Sequence, residues 1–215
     1  MFIQSIQSNP RFFFAVVITV VVSITLHELA HGVVAIWRGD RTPIDRGHMT
    51  LNPMVHMGPF SIVALLVAGI AWGAMPIDPT RIRGRFGEAL VALAGPVSNV
   101  ILALLSLTAL GVWLRVEGGW RPEATPLGNL QYLLQIFGYL NVALAMFNML
   151  PIPPLDGAKV LENLIPALRT MFEHLSATGA SMIVFIIAFS SAGTLIFPAA
   201  IRVEVWWIQL LRGGA

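Results

Sequence analysis

The sequence predicts an all-α polytopic membrane protein, and three observations carry this prediction. Hydrophobic residues make up 56% of the 215 residues and charged residues only 11%, whereas charged residues form about a quarter of a soluble globular chain. The mean hydropathy is +0.78. Several uncharged stretches also reach the length of about 20 residues that a membrane-spanning helix needs. The composition excludes a disordered chain, and the lack of cysteine excludes a disulfide scaffold.

Five uncharged stretches order the chain, and they predict about four spanning helices plus one re-entrant or bent segment. The first stretch continues as an apolar pattern to Ile36 and has no cleavage site of a signal peptide, so we expect it to be retained. The second is the shortest of the later stretches and is rich in glycine and proline, so it is the predicted re-entrant segment. The stretches are Phe12–Leu26, Gly58–Ile77, Ala89–Leu114, Ala124–Leu155 and Leu175–Ile201.

Two shorter segments complete the predicted fold. Thr42–Leu51 has a weakly alternating pattern, which predicts a short β element after the first helix whose edge could pair with an extended peptide. Arg202–Arg212 has paired tryptophans between charges, which predicts a C-terminal interfacial helix because tryptophan favours the headgroup level. With no repeat and no soluble second domain, residues 1–215 are predicted to form one membrane-embedded domain.

The charge balance indicates which partners to expect. Thirteen basic residues face eleven acidic ones, for a formal net charge of +2. This balance is too even for the basic surface that binds nucleic acid, so we expect no nucleic-acid partner. The expected surrounding is the lipid bilayer, and the sequence leaves the oligomeric state open.

The first helix carries an H-E-x-x-H motif, formed by His27, Glu28 and His31. Residues four apart lie on one helical face, so both imidazoles can bind one metal ion, and Glu28 can reach a water molecule on that ion. A charged group at the centre of an apolar helix costs about 2.5–3.5 kcal/mol, so such groups mark function by default. The setting therefore favours a metal site over a chance match.

A catalytic zinc site needs a third protein ligand, since it combines three such ligands with a water molecule. Asp156 is the best candidate because it closes the longest uncharged stretch, where three prolines break the helix and free backbone groups at membrane depth. His48 and His56 stay open as alternatives. Charged loops, a helix start and an amphipathic surface explain the others better, namely Asp40, Asp45, Glu88 and His174.

Three motifs in this order resemble the site-2 protease family of intramembrane zinc metalloproteases. They are HELAH from His27, AGPVSN from Ala94 and NxxPxPxLDG from Asn148. The segment Gly47–Pro53 resembles a compact subgroup, and the sequence shows neither the PDZ domain nor the CBS pair of larger relatives. The resemblance implies a zinc endopeptidase that hydrolyses peptide bonds in or near the transmembrane segments of membrane proteins.

The resemblance also implies roles for individual residues. His27, His31 and Asp156 would hold one zinc ion per chain, with Glu28 as the catalytic base. Asn148 would hold the substrate near the metal, and Asn141 would assist. From the residues alone, contacts between helices explain these two asparagines equally well, because such contacts are common for asparagine in membranes.

The metal site constrains the topology. The first and fourth stretches must end at one face, here named X, to bring Asp156 to the histidines. Both intervening stretches therefore cannot cross, and Gly58–Ile77 is predicted to return to X. Eight of the basic residues then lie at X and five at the opposite face. This excess predicts that X, with the active site, faces the cytoplasm of a prokaryotic cell.

Two other classes of function fit part of the pattern. A metal-ion transporter also uses broken helices and carboxylates near the midplane, and a non-catalytic scaffold could bind membrane partners. Glu28 argues against transport, because a transport site does not need a base beside its first ligand.

Overall fold

The computed structural model describes residues 1–122 and 125–213, and these residues form helices, turns and extended segments without a β-strand. Ala124, the predicted start of the fourth stretch, lies outside the described residues. The helices are a 3-10 turn Phe2–Gln4, α1 Ser5–Ser8, α2 Pro10–Trp37, α3 Thr42–Asp45, α4 Pro53–Ala68, a 3-10 turn Pro79–Arg81, α5 Gly87–Glu117, α6 Pro126–Asn148, α7 Asp156–Leu164, α8 Pro166–Ala177 and α9 Ala180–Arg212.

Four of the described helices are long and apolar enough to cross a membrane, namely α2, α5, α6 and the part of α9 from Gly193 to Arg212. This confirms the predicted number of spanning helices. Two of them begin at recognisable start signals. Asn9 accepts a hydrogen bond from the Phe12 N–H at 3.0 Å, and Thr125 accepts one from the Gly128 N–H at 3.0 Å. In both cases a proline follows the capping residue and occupies the first helical position.

Helix α5 is the centre of the bundle and packs against α2, α6, α7 and α9. Its second half is apolar, and Leu107, Leu110 and Leu114 pack with Ile208 of α9. Its first half is built differently, since glycine, proline and asparagine lie buried there. That polar half faces α2 and α7 and positions the site described below.

Helix α4 and the extended chain after it leave one end of the bundle and come back to it. The helix bends at Gly58 and ends at Gly69, both of which have the positive φ that glycine adopts without strain. The Asp78 N–H then donates to the Asp40 carboxylate at 2.8 Å. Because Asp40 follows directly after α2, this contact returns the chain to the end where α2 stops, as the metal site required.

The predicted β element in Thr42–Leu51 is wrong, because this segment begins with the single helical turn α3. The Asp45 N–H donates to the Arg41 carbonyl at 3.0 Å, which closes a helical turn. Pro43 has the fixed φ that suits a first turn, and the Asp40 side chain accepts from the Thr42 N–H at 2.9 Å. Local capping therefore outweighs the weak alternation in this segment.

The predicted separate interfacial helix Arg202–Arg212 is also wrong, because α9 continues through it without a break. Its residues pack against the bundle. The Trp207 indole N–H donates to the Thr108 hydroxyl of α5 at 3.0 Å, and Glu204 accepts from the Gln135 amide of α6 at 2.7 Å. These contacts hold the segment against α5 and α6. The fifth stretch also starts later than predicted, because its first residues belong to α8.

Candidate metal centre

Three buried side chains from distant parts of the chain converge on one point. The Nε2 atoms of His27 and His31 lie 3.0 Å apart. The Oδ2 atom of Asp156 lies 3.1 Å from the first and 3.3 Å from the second. The three side chains belong to residues that are 6–7% exposed. They form the one group among the described residues whose ligand atoms lie close enough together to hold a metal ion.

The break after α6 delivers Asp156 to the histidines. Prolines interrupt the chain between Asn148 and Asp156, and α7 starts at Asp156 itself, where a carboxylate suits the positive end of the helix dipole. Gly157 makes the sharp return feasible, because a Cβ atom there would lie 2.3 Å from the Met149 carbonyl oxygen. The L-D-G end of the proline segment thus combines a packing requirement at Gly157 with the position of a candidate ligand, Asp156.

Hydrogen bonds on the far side of each imidazole determine which nitrogen faces the centre. His31 Nδ1 lies 2.6 Å from the Val91 carbonyl oxygen, which can only accept. Nδ1 therefore carries the proton, and Nε2 presents its lone pair. His27 Nδ1 lies 2.6 Å from the Asn99 side-chain oxygen, with the same result. Two lone pairs and a carboxylate at this separation repel one another, and a cation removes that repulsion.

The geometry fits a zinc ion. Ligand atoms about 2.0–2.1 Å from a tetrahedral zinc ion lie about 3.3 Å from each other, close to the separations between these three atoms. Gly95 of α5 supplies the space. A Cβ atom there would lie 2.4 Å from both the His27 and the His31 Nε2 atoms, so any larger residue would clash with the two imidazoles.

Glu28 lies beside this centre under an extended segment of the chain. Its residue is 8% exposed, and it lines the same cavity as the two histidines. The segment after α4 passes directly over its carboxylate. A Cβ atom at Gly73 would lie 2.6 Å from Glu28 Oε1 and 2.7 Å from Ile24 Cγ2. Only glycine at this position lets the backbone approach so closely.

A cavity of about 750 Å³ connects the centre with the surface. Its inner wall carries the three proposed metal ligands and Glu28, and apolar side chains such as Leu144 and Phe147 continue it. Its rim is charged, and one rim pair joins Arg169 to Glu88 at 3.0 Å. The cavity therefore has charged residues at its opening and apolar side chains along part of its wall. The charged rim residues are Glu88, Lys159, Glu162, Arg169 and Glu173.

The two asparagines of α6 occupy different surroundings. Asn148 lines the cavity, and its Nδ2 donates to the Leu144 carbonyl at 3.0 Å. Asn141 has no exposed surface. Its Oδ1 accepts from Asn99 at 2.8 Å, and its Nδ2 donates to the Ser23 hydroxyl at 2.8 Å. Asn148 is placed where a substrate could reach it, whereas Asn141 lies in a contact between helices.

The alternative ligands His48 and His56 do not join this centre. Their rings lie 6.3 Å apart, outside the cavity. His56 Nε2 lies 2.7 Å from the Thr50 carbonyl oxygen, so this imidazole fastens the loop before α4. The sequence pointed only weakly to Gly73, Gly95 and Asn99. An asparagine inside the apolar AGPVSN motif was the available signal for Asn99, and the role of Gly73 depends on a contact between segments far apart in sequence.

Comparisons with known proteins indicate a zinc metalloprotease. The model of the family described as Peptidase family M50 matches residues 14–191. YwhC of Bacillus subtilis, named as a zinc metalloprotease, is 41% identical over 177 residues, which cover 80% of this chain and 78% of YwhC. Rip2 of Mycolicibacterium smegmatis, also named as a zinc metalloprotease, is 36% identical over 149 residues, which cover 65% of this chain and 53% of Rip2. No solved structure matches the chain.

Proposed function

Since the chain belongs to peptidase family M50, the site-2 protease family, and is a zinc-dependent metalloprotease of the membrane, we propose that it cleaves peptide bonds in or near transmembrane segments of other membrane proteins. One observation carries this proposal. Three metal-binding side chains and Glu28 line a single cavity inside a bundle whose long helices are apolar enough to span a bilayer.

The proposed zinc ligands are His27, His31 and Asp156, with one ion per chain. The short separations among their ligand atoms and the space beside Gly95 support this assignment. A bound zinc ion supplies Lewis-acid chemistry, which activates water and polarises the scissile carbonyl.

Glu28 is the proposed general base. Its carboxylate lies in the cavity next to the metal-binding face of α2, one residue after His27. From there it can take a proton from the attacking water and pass it to the leaving amine. The Gly73 backbone packs against this carboxylate and restricts its movement.

The extended segment over Glu28 is the proposed docking edge for an unwound substrate, in place of Thr42–Leu51. Helix α4 already holds one side of this segment. The Ser61 hydroxyl exchanges hydrogen bonds with the Trp72 carbonyl and N–H at 2.7 and 2.9 Å, and the Ala74 N–H donates to the His56 carbonyl at 3.0 Å.

Alternate residues of an extended chain present their backbone groups to opposite sides. Gly73 and Met75 therefore present their N–H and carbonyl groups away from α4, and both residues line the cavity. Within the described part of the chain these groups have no hydrogen-bond partner. A peptide added at this edge would gain backbone hydrogen bonds next to the proposed base.

Asn148 is the proposed side chain that holds the substrate on the opposite wall. Its Nδ2 is engaged by its own helix, so its Oδ1 is the atom that a substrate amide would meet. This role no longer extends to Asn141, because its amide is fully engaged between helices.

The cavity opens at the end of the bundle that carries most of the basic residues, and we propose that this end faces the cytoplasm of a prokaryotic cell. The natural chain has no cysteine, so single cysteines introduced at Asp45, Arg83 and Gly119 can be labelled from either side. The first two should react from the cytoplasm and the third from outside. The reverse pattern would reject this orientation, and a reaction of all three from one side would reject the topology.

The substitution Glu28→Gln tests the proposed reaction. It should retain zinc and abolish cleavage of a co-expressed, tagged membrane protein, because the amide cannot accept the proton of the water. Glu204→Gln is the matched control, since Glu204 is also a buried carboxylate, 5% exposed, but lies away from the cavity. Wild-type cleavage by Glu28→Gln would reject the general-base role.

A further inference from the structure

A chain of buried polar side chains leads from His27 across two neighbouring helices. The Asn99 side-chain oxygen of α5 lies 2.6 Å from His27 Nδ1. The Asn99 Nδ2 donates to Asn141 Oδ1 of α6 at 2.8 Å. The Asn141 Nδ2 donates to the Ser23 hydroxyl at 2.8 Å, which returns the chain to α2 one turn before His27. Asn99, Asn141 and Ser23 are 0–1% exposed.

The Phe137 carbonyl sets the direction of every hydrogen bond in this chain. Because a carbonyl only accepts, the Asn141 group 2.8 Å from it must be the Nδ2 donor. The side-chain oxygen of Asn141 therefore faces Asn99, and Asn99 donates to it through its own Nδ2. The oxygen of Asn99 is left for His27, so His27 Nδ1 must carry the proton.

We propose that Asn99 and Asn141 are positioning residues that hold His27 with its Nε2 lone pair directed at the metal. This inference rests on the proposed function, in which His27 is a zinc ligand. The two amides act through the imidazole and touch neither the substrate nor the ion. Partners of this kind fix the tautomer and the ring orientation of a metal-binding histidine.

The two histidines of the centre are held by different means. The Nδ1 of His31 is paired with the backbone carbonyl of Val91, which no side-chain substitution removes. The Nδ1 of His27 depends on a side chain that itself depends on a second side chain. Substitutions in this relay therefore act on one ligand of the pair and leave the other in place.

The test measures the zinc affinity of the purified full-length protein by competition with a chelator. Asn99→Leu keeps the number and branching of the side-chain heavy atoms but neither accepts from His27 nor donates to Asn141, and we expect its zinc affinity to fall by about 10- to 100-fold. Asn141→Leu should give a smaller fall in affinity, because Asn99 can still accept from the imidazole. Asn99→Asp keeps the acceptor for His27, and its affinity should recover to within about tenfold of the wild-type value.

Two matched controls remove a buried polar contact of the same helices outside this relay. Ser106→Ala removes a hydroxyl of α5 that donates to the Leu134 carbonyl at 2.7 Å. Gln131→Leu removes a fully buried amide of α6 that accepts from the Arg121 N–H at 2.7 Å. Both should keep the wild-type affinity for zinc, since neither residue contacts the centre.

The outcomes separate this inference from the proposed function. If His27→Ala loses zinc while Asn99→Leu binds it like the wild type, the positioning role is overturned and the ligand assignment stands. If His27→Ala also binds zinc like the wild type, the ligand assignment itself fails. An equal loss of zinc affinity in Asn99→Leu and Asn99→Asp would also overturn the inference, because recovery by the acceptor distinguishes positioning from a general packing effect. Should Asn99→Leu fail to elute as a folded protein, Asn99→Asp and Asn141→Leu carry the same comparison.

Discussion

The two halves of helix α5 are buried to a similar degree but are built from different chemistry. In the half next to the proposed metal centre, Gly95 lies against both imidazoles and Asn99 is hydrogen-bonded to His27. In the other half, Leu107 and Leu110 pack against apolar side chains of neighbouring helices. One half is thus fixed mainly by hydrogen bonds and by the absence of a side chain, and the other mainly by apolar contact, with hydrogen bonds at Ser106 and Thr108.

The difference between the two halves indicates where amino-acid substitutions should affect this protein most. Lipid tails are as apolar as leucine, so apolar packing between membrane helices has little advantage over contact with lipid. Hydrogen bonds and close approaches are different, because lipid cannot replace either. We therefore expect substitutions near the metal centre to act on function and substitutions in the apolar half to act modestly on stability.

The largest effect is expected for Gly95→Ala. The added methyl group would lie 2.4 Å from both Nε2 atoms and would push the two imidazoles apart, so metal analysis should find almost no zinc in the purified variant. Gly111→Ala is the control on the same helix, because its Cβ would meet only the flexible Leu211 side chain, at 2.9 Å. Normal zinc content in Gly95→Ala would contradict the proposed difference in function between the two halves of α5.

A smaller effect on cleavage, without loss of metal, is expected for Gly73→Ala. The new Cβ would lie 2.6 Å from Glu28 Oε1 and would shift either the base or the extended segment. Displacements of this size lower kcat/KM by about 10- to 100-fold, while the zinc content should stay unchanged. Gly193→Ala is the neutral control, since no atom lies within 4 Å of its Cβ position. Equal rates for both variants would contradict the close contact over Glu28.

The substitution Leu107→Ala tests the apolar half of α5. Leu107 is 1% exposed, so the truncation leaves a cavity and should lower the free energy of unfolding by about 2 kcal/mol. Zinc affinity and cleavage of folded protein should remain at the wild-type level. Denaturation in detergent, with Leu107→Met as the volume-conserving control, measures the loss of stability. A loss of zinc from folded Leu107→Ala would show that the halves are coupled.

The smallest effect concerns the link between α2 and the extended segment. Burial raises the pKa of Asp40, but hydrogen bonds from the Thr42 hydroxyl and the Asp78 N–H outweigh this effect and hold it below the ordinary value of 3.8. The stabilisation is therefore complete above pH 3.8 and is lost as the pH falls through the lower pKa of the folded state.

Asp40→Asn tests this link. The variant should be slightly less stable than the wild type at neutral pH, and thermal unfolding should show the difference shrinking below pH 3.8. A constant difference across this range would exclude the carboxylate as its source.

Much of the site could be predicted from local patterns. The H-E-x-x-H spacing places His27 and His31 on one helical face whatever surrounds the helix. Asp156 could be singled out because a carboxylate beside helix-breaking prolines at membrane depth is costly without a partner. The return of the chain after α4 also followed, since the ligands could meet only if one stretch failed to cross.

The predictions that were wrong concern segments in which several local signals, or a local signal and a distant contact, favour different structures. In Thr42–Leu51 the capping side chain of Asp40 favoured a helical turn over a strand. In Arg202–Arg212 the paired tryptophans suggested the bilayer surface, but Thr108 of α5 supplied a hydrogen-bond partner inside the bundle. Nothing in the spacing of Asn141 could distinguish a substrate contact from a contact between helices.

The sequence by itself determined the membrane setting, the pair of histidines and the broken segment that carries the aspartate, because hydropathy, helical periodicity and proline geometry are local properties. The packing of the helices determines which backbone passes over Glu28, which amide holds His27 and which glycine leaves space for the two imidazoles. These contacts join residues 45 to 72 positions apart, and their geometry is set by how the helices pack against one another.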